Sequence, residues 1–315
     1  MIKATVRDLE QKFEWEQVAG TRKSLEREIT LPDINRPGLE LAGYLSHSQT
    51  KRLIVIGGKE YRYITDEMDE ISQRRVFEFI THNDTPCIIL TGSHACPPIL
   101  REIADRKDFP VFETKTKTSQ VVVNVTNYLD ELLAPATLLH GELVRIYGVG
   151  VLITGPSGTG KSEIVLDLVK RGHQLVADDR VDIYRIHNSL IGKTHQVIAG
   201  FMELRGVGII DVKRLYGITS VANSAEISFE IVLEAYDPKV SYDRIGIEDK
   251  QYDTYLGIPV RKMVIPVTYG RPMATVIETA VTNYLLQQDG FDSAKVFEEL
   301  VLQEIERNRL EEEQQ

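Results

Sequence analysis

The chain has 315 residues, 42% hydrophobic and 27% charged, which excludes a disordered or fibrous protein and leaves room for two cores of ordinary size. Its 47 acidic residues outnumber 37 basic ones for a net charge of -10, so neither nucleic acid nor an anionic membrane is an expected partner. No uncharged run approaches membrane-spanning length, no apolar signal core opens the chain, and Cys87 and Cys96 form no metal-type pair; a cytoplasmic protein with two free thiols is expected.

In chain order, Thr5 and Asp8 have the spacing of a capping box, and Val6, Leu9 and Phe13 share a face, which predicts a short amphipathic helix. Residues 53–56 before Gly57-Gly58, and 87–90 before Thr91-Gly92, read as short buried strands with helical segments between them. This alternation predicts a small α/β domain over residues 1–132, with no catalytic set and no legible role. Pro135 interrupts a helical pattern and sets the boundary with a second domain over residues 133–315. Near its end, Met273, Val276, Ile277, Ala280, Val281, Tyr284 and Leu285 predict a helix over Met273–Gln288, and a further helix starts at Ser293.

The strongest motif is Gly155-Pro156-Ser157-Gly158-Thr159-Gly160-Lys161-Ser162, which matches the phosphate-loop pattern G-x-x-x-x-G-K-S/T. A buried-strand run over Val149–Thr154 precedes it. Ile164, Val165, Leu168 and Val169 then give the following segment a helical face, which Gly172 ends. In that order, the glycines let backbone N–H groups converge on phosphate oxygens at a helix N-terminus. Lys161 neutralises the β- and γ-phosphates of ATP, and the Ser162 hydroxyl ligates Mg²⁺.

Residues 173–179 form an apolar stretch ending in Asp178-Asp179, as a Walker-B strand does, although a strand end followed by a turn reads the same way. Side chains adjacent on a strand point to opposite faces, so the two carboxylates are expected to divide their work. Asp178 would organise the Mg²⁺ shell, and Asp179 would accept the proton of an attacking hydroxyl. The short interval from Lys161 to Asp178 leaves no room for the switch segments of many GTPases and favours a compact kinase.

Met202-Glu203-Leu204-Arg205-Gly206-Val207-Gly208-Ile209-Ile210-Asp211 reads either as a mobile loop with a metal-binding carboxylate and a phosphate-binding guanidinium, or as a surface turn before a strand over 207–212. Arg244, beside Gly246, is a further phosphate ligand or an exposed ion-pair member. Pro266-Val267-Thr268-Tyr269-Gly270-Arg271 runs into the Met273 helix and offers a second anion site at its N-terminus. His140 alone reads as structural. The chemistry admits a protein kinase, a P-loop kinase of a small metabolite, or a nucleotide-gated regulatory protein; the paired carboxylates argue against the last, because a pure sensor needs no base.

Taken together, these segments resemble the bacterial HPr kinase/phosphorylase family. The resemblance is carried by Ile34-Asn35-Arg36-Pro37-Gly38-Leu39-Glu40-Leu41-Ala42-Gly43-Tyr44, His140-Gly141, residues 147–162, 168–173 and 175–179, the 202–211 segment, and Tyr242-Asp243-Arg244-Ile245-Gly246. It implies a C-terminal P-loop kinase domain resembling the nucleotide core of phosphoenolpyruvate carboxykinase, usually assembled as a homohexamer. The implied reaction phosphorylates a serine of the carrier protein HPr with Mg²⁺ and ATP or pyrophosphate, in the control of sugar uptake and carbon metabolism. Inorganic phosphate removes the group to give pyrophosphate.

By resemblance His140, Lys161, Asp179 and Arg244 are active-site residues and Ser162 and Glu203 bind Mg²⁺. The 202–211 segment serves both directions, and residues 266–271 serve dephosphorylation. Two segments depart from the family pattern. Pro156 and Thr159 stand where Asp and an aliphatic residue are more frequent, and the late motif has Thr268 and Pro272 where basic or amide residues are usual. The first leaves backbone phosphate contacts intact; the second removes positive charge beside the proposed phosphate site.

Overall fold

The computed structural model describes residues 4–45, 51–240, 250–268 and 270–312. It divides into two compact units, Met1–Ala134 and Pro135–Gln315.

In the first unit the elements run β1 (Ala4–Thr5), α1 (Val6–Phe13), β2 (Glu16–Ala19), β3 (Glu28–Ile29), β4 (Ile34–Asn35), α2 (Gly38–Leu41), β5 (Leu53–Ile56), α3 (Gly58–Arg62), α4 (Glu70–Ile80), β6 (Ile88–Thr91), α5 (Pro98–Arg106), β7 (Val111–Thr114) and α6 (Thr118–Leu132). The Thr5 N–H donates to the Asp8 carboxylate at 2.7 Å, so the expected cap closes α1. Strands β4 to β7 are parallel in the order β7-β6-β5-β4, with β2 antiparallel at the β7 edge. All four residues of β5 are buried because both faces of this sheet are covered. Ile54 and Ile56 join Val76, Phe77, Leu100 and Ile103 of α4 and α5, whereas Leu53 and Val55 join Val6, Leu9, Val121 and Val125 of α1 and α6.

The second unit runs β8 (Ala136–His140), β9 (Glu142–Ile146), β10 (Val149–Thr154), α7 (Lys161–Lys170), β11 (Gln174–Ala177), β12 (Arg180–Ile186), β13 (Ser189–Lys193), β14 (Phe201–Leu204), β15 (Gly208–Asp211), α8 (Val212–Tyr216), β16 (Ser224–Ala235), β17 (Gln251–Tyr255), β18 (Ile258–Val267), α9 (Met273–Gln288) and α10 (Ser293–Glu312). Its main sheet has the order β11-β9-β10-β16-β13-β12-β8, with β18 and then β17 joined through β16. Helices α7 and α9 cover one face, where Val165, Leu168, Ile277 and Val281 meet Val144, Val151, Ile153 and Phe229. The opposite face closes on its own curled extension: Leu143, Leu152 and Ile227 meet Val181, Ile183 and Leu190. The twelve residues of β16 carry the sheet from one layer into the other.

The expected strand–helix–strand return is present with one difference. β9 lies between β10 and β11 and is antiparallel to both, so β10 and β11 run the same way without being neighbours. β16 and β18 are also parallel to β10 and to each other in register. Four strands therefore open at one carboxyl edge, the usual place for a ligand in an open α/β sheet. Periodicity alone does not show β9 in the middle, because an antiparallel hairpin neighbour has the same apolar pattern as a parallel one.

Candidate active site

The phosphate loop leaves β10 through Gly155, whose φ of 136° and close approach to β16 exclude any side chain: an added Cβ would lie 2.0 Å from the Leu233 carbonyl oxygen. Gly160, also at positive φ, starts α7. Lys161 is buried, with its ammonium group donating to the carbonyls of Gly155 and Pro156 at 3.1 and 3.2 Å. It spans the mouth of the loop where nucleotide phosphates would displace those weaker partners.

The loop forms one wall of a cavity of about 280 Å³, lined also by His140, Glu142, Asp178, Asp179, Glu203 and Arg205. A shallower depression of about 400 Å³ in the first unit is lined by Lys59, Arg62, Tyr63, Asp66 and Glu67 and brings no comparable set of groups together.

Asp178 and Asp179 take different directions, as expected, but a turn separates them and not the pleat of a strand. β11 ends at Ala177, and Asp179 adopts a left-handed φ of 61°. This conformation is uncommon for a non-glycine residue, though less so for Asp. The Gly141 N–H holds the Asp179 carbonyl at 3.0 Å, and His140 pairs with Arg180 across β8 and β12. The Asp179 carboxylate, 76% exposed, thus stands 3.1 Å from His140 Nδ1 at the rim of the cavity. Such a held backbone outlier at a cavity rim is characteristic of functional positions.

Asp178 turns inward. Its Oδ2 accepts the Glu203 N–H at 2.9 Å, and burial pushes its pKa above the ordinary carboxylate range despite that hydrogen bond. The 202–211 segment is a β-hairpin of β14 and β15, so its second half is the expected strand, one residue shorter at each end, and its first half is a strand as well and not a loop. Met202 and Leu204 are buried in the core, which leaves Glu203 on the cavity side and Val207 and Ile209 exposed. Arg205 donates to the Ser157 hydroxyl at 3.1 Å, which links the hairpin turn to the phosphate loop.

Glu142 completes the wall and was not evident from the sequence. Its Oε1 accepts the Ser162 hydroxyl at 2.9 Å. Burial, reinforced by the charge of Asp178, pushes its pKa up to about 8. Its Oε2 and Asp178 Oδ1 are buried without a hydrogen-bond partner. Two unsatisfied carboxylate oxygens beside a phosphate-loop serine suit a small divalent cation. Among the described residues no three His, Cys, Asp or Glu side chains form a ready cage, so water and phosphate oxygens would fill the remaining positions, as is usual for Mg²⁺.

The chain matches the model of the HPr Serine kinase C-terminal domain over residues 131–301 and that of the HPr Serine kinase N terminus over residues 4–129. It belongs to the HPr serine kinase family. The HPr kinase/phosphorylase of Shouchella clausii is 42% identical over 310 residues, covering 97% of this chain and 98% of its relative. That of Streptococcus sanguinis is 40% identical over 306 residues, covering 97% and 98%. A solved structure of the Hpr(Ser) kinase/phosphatase from Coxiella burnetii shares 37% identity at a TM-score of 0.44, covering 49% of this chain and 99% of that one. This member of the HPr kinase family is accordingly an enzyme, a serine kinase/phosphorylase.

In this HPr kinase family member Pro266 and Val267 stand at the same carboxyl edge as the phosphate loop. Pro266 and Val267 end the strand, and the Arg271 N–H closes a turn onto the Thr268 carbonyl at 3.3 Å, ahead of α9. Tyr269 and Arg244 lie outside the described residues.

A second carboxylate absent from the sequence reading is Glu230, 2% exposed on β16, which accepts the hydroxyls of Thr154 at 2.8 Å and Tyr255 at 2.9 Å. Neither glutamate is marked in the sequence: Glu230 falls in the polar phase that Glu226 and Ser228 also occupy on β16, and Glu142 opens a strand that also carries Arg145. Burial raises the pKa of Glu230, with the two hydroxyls and Lys262 opposing the shift and Asp253 adding to it. The folded state thus keeps this proton to higher pH than the unfolded chain, so its contribution to stability falls as pH rises between the two pKa values. Glu230→Gln should flatten that decline in urea denaturation measured from pH 5 to 8; a slope equal to the parent's would contradict the assignment.

Proposed function

We propose that this enzyme phosphorylates a serine of HPr with Mg²⁺ and ATP or pyrophosphate, and that inorganic phosphate reverses the reaction to release pyrophosphate. The observation that supports it best is the division at Asp178-Asp179. One carboxylate turns toward the Ser162 end of the phosphate loop and the other is presented, beside His140, to an incoming hydroxyl.

Lys161 and the loop N–H groups bind and orient the donor phosphates, while Ser162, Asp178 and Glu203 would hold Mg²⁺. When bound, Mg²⁺ neutralises charge on the phosphate oxygens. Asp179 accepts the serine proton as the new Oγ–P bond forms and the bond from phosphorus to the donor's bridging oxygen breaks. In the reverse direction a phosphate oxygen attacks the phosphoserine phosphorus, and Asp179 returns its proton to the departing serine oxygen. His140 orients the Asp179 carboxylate, and Arg244 is read as a further phosphate ligand. Residues 266–271 are read as serving the reverse direction. A cytoplasmic homohexamer acting in the control of sugar uptake and carbon metabolism belongs to the same reading. Among the described residues no helix is long and apolar enough to cross a membrane.

The test is incubation with HPr, Mg²⁺ and ATP, followed by excess phosphate, with phosphoserine read by mass spectrometry and pyrophosphate by enzymatic assay. Phosphoserine should appear in the first stage and fall in the second as pyrophosphate rises. ATP binding with no phosphoserine on HPr would refute the reading.

A further inference from the structure

The face of β9 that packs under α7 carries Glu142, Val144 and Ile146. Val144 and Ile146 fill the apolar core as that position demands. Glu142 instead puts a carboxylate, 1% exposed, against the first turn of the helix. A valine or isoleucine would complete the core there, and a charge in the same slot carries a desolvation penalty that a single hydroxyl donor does not relieve. Asp178 Oδ1 has the same unmet need within the same site. Glu142 meets the serine that begins α7 through its other oxygen, and Glu142 and Asp178 line the same cavity.

The Ser162 contact adds a second, independent element. By accepting the hydroxyl hydrogen, Glu142 Oε1 leaves the Ser162 oxygen lone pairs free, which is the orientation a cation ligand requires.

We propose that Glu142 is a cation-positioning residue: it orients Ser162 and, with Asp178, retains one hard divalent cation, Mg²⁺ or Mn²⁺, before any nucleotide arrives. This rests on reading the loop as a Mg²⁺-dependent phosphoryl-transfer site. It adds a residue to the cation shell and an order of binding, in which the metal precedes the nucleotide.

The test titrates Mn²⁺ into the nucleotide-free full-length protein and follows free Mn²⁺ by electron paramagnetic resonance, for the parent, Glu142→Gln and Glu142→Val. The parent should take up one equivalent, and both variants should bind at least about tenfold more weakly. Mn²⁺ should raise the melting temperature of the parent and not of the variants, while in EDTA the variants should melt at or above it, since each removes an unpaired buried carboxylate. Gln preserves volume and an acceptor for Ser162, and Val completes the apolar face, so the two do not share one folding defect. Undiminished Mn²⁺ affinity in both variants, or a parent that takes up no Mn²⁺ without nucleotide, overturns the proposal. HPr phosphorylation assayed on the same preparations separates the two readings. Glu142-dependent Mn²⁺ uptake without HPr phosphorylation overturns the substrate and keeps the cation site; phosphorylation with Glu142-indifferent uptake does the reverse.

Discussion

Asp179→Asn is expected to slow seryl phosphorylation by about 10²–10⁴-fold while leaving ATP affinity nearly unchanged, the loss usual for removal of a positioned general base. The substitution is well controlled by the backbone. Asn tolerates the left-handed conformation at least as well as Asp, so the turn that pairs Gly141 with the Asp179 carbonyl should persist. Only the carboxylate's ability to take a proton is removed. The side chain is mostly exposed and pairs with His140 at the cavity rim, so binding of a fluorescent ATP analogue should be retained. Kinetics should show the fall in kcat, not in KM. If kcat were retained within about twofold, against the much larger loss expected for a general base, the proton would have to go elsewhere, to His140 or to solvent.

Gly155→Ala should have the largest effect on stability. At φ 136° an L-residue is strained, and the Cβ would meet a backbone oxygen, not a flexible side chain. Relief requires moving Leu233 on β16, and Thr154 next to the glycine is in parallel register with Val232. The expected loss is roughly 3 kcal/mol or more, summing backbone strain and forced displacement of a packed strand. Gly148→Ala is the comparison: Gly148 also has positive φ but nothing within 4 Å of its added Cβ, so it should lose only about 1 kcal/mol. Urea denaturation of both variants checks this, with ATP binding as a second readout. Equal losses would show that the approach to Leu233 is not what makes Gly155 obligatory.

The two variants also mark how differently parts of the site can be read from sequence. The phosphate loop, the strand Val149–Thr154 and the helix Met273–Gln288 have the bounds that spacing predicts, because each is set by neighbours within a few residues. The different directions of the Asp178 and Asp179 side chains also follow from their adjacency, but the means do not: strand pleat was expected, and a left-handed turn held by Gly141 produces the divergence. That hydrogen bond joins residues 38 positions apart and has no local signature.

Glu142 shows the limit most clearly. As a letter in a β-strand it is an ordinary acidic residue next to Leu143 and Val144. It becomes a buried carboxylate under Ser162 only because β9 enters the sheet between β10 and β11 and turns that side chain toward α7. Sequence by itself determined that a phosphate loop exists, that Lys161 and Ser162 stand at its end, and that two carboxylates follow one helix later. Tertiary structure alone decided which further charges share the cavity, since desolvation and pairing depend on strand order and on contacts far apart in the chain, which local spacing does not encode.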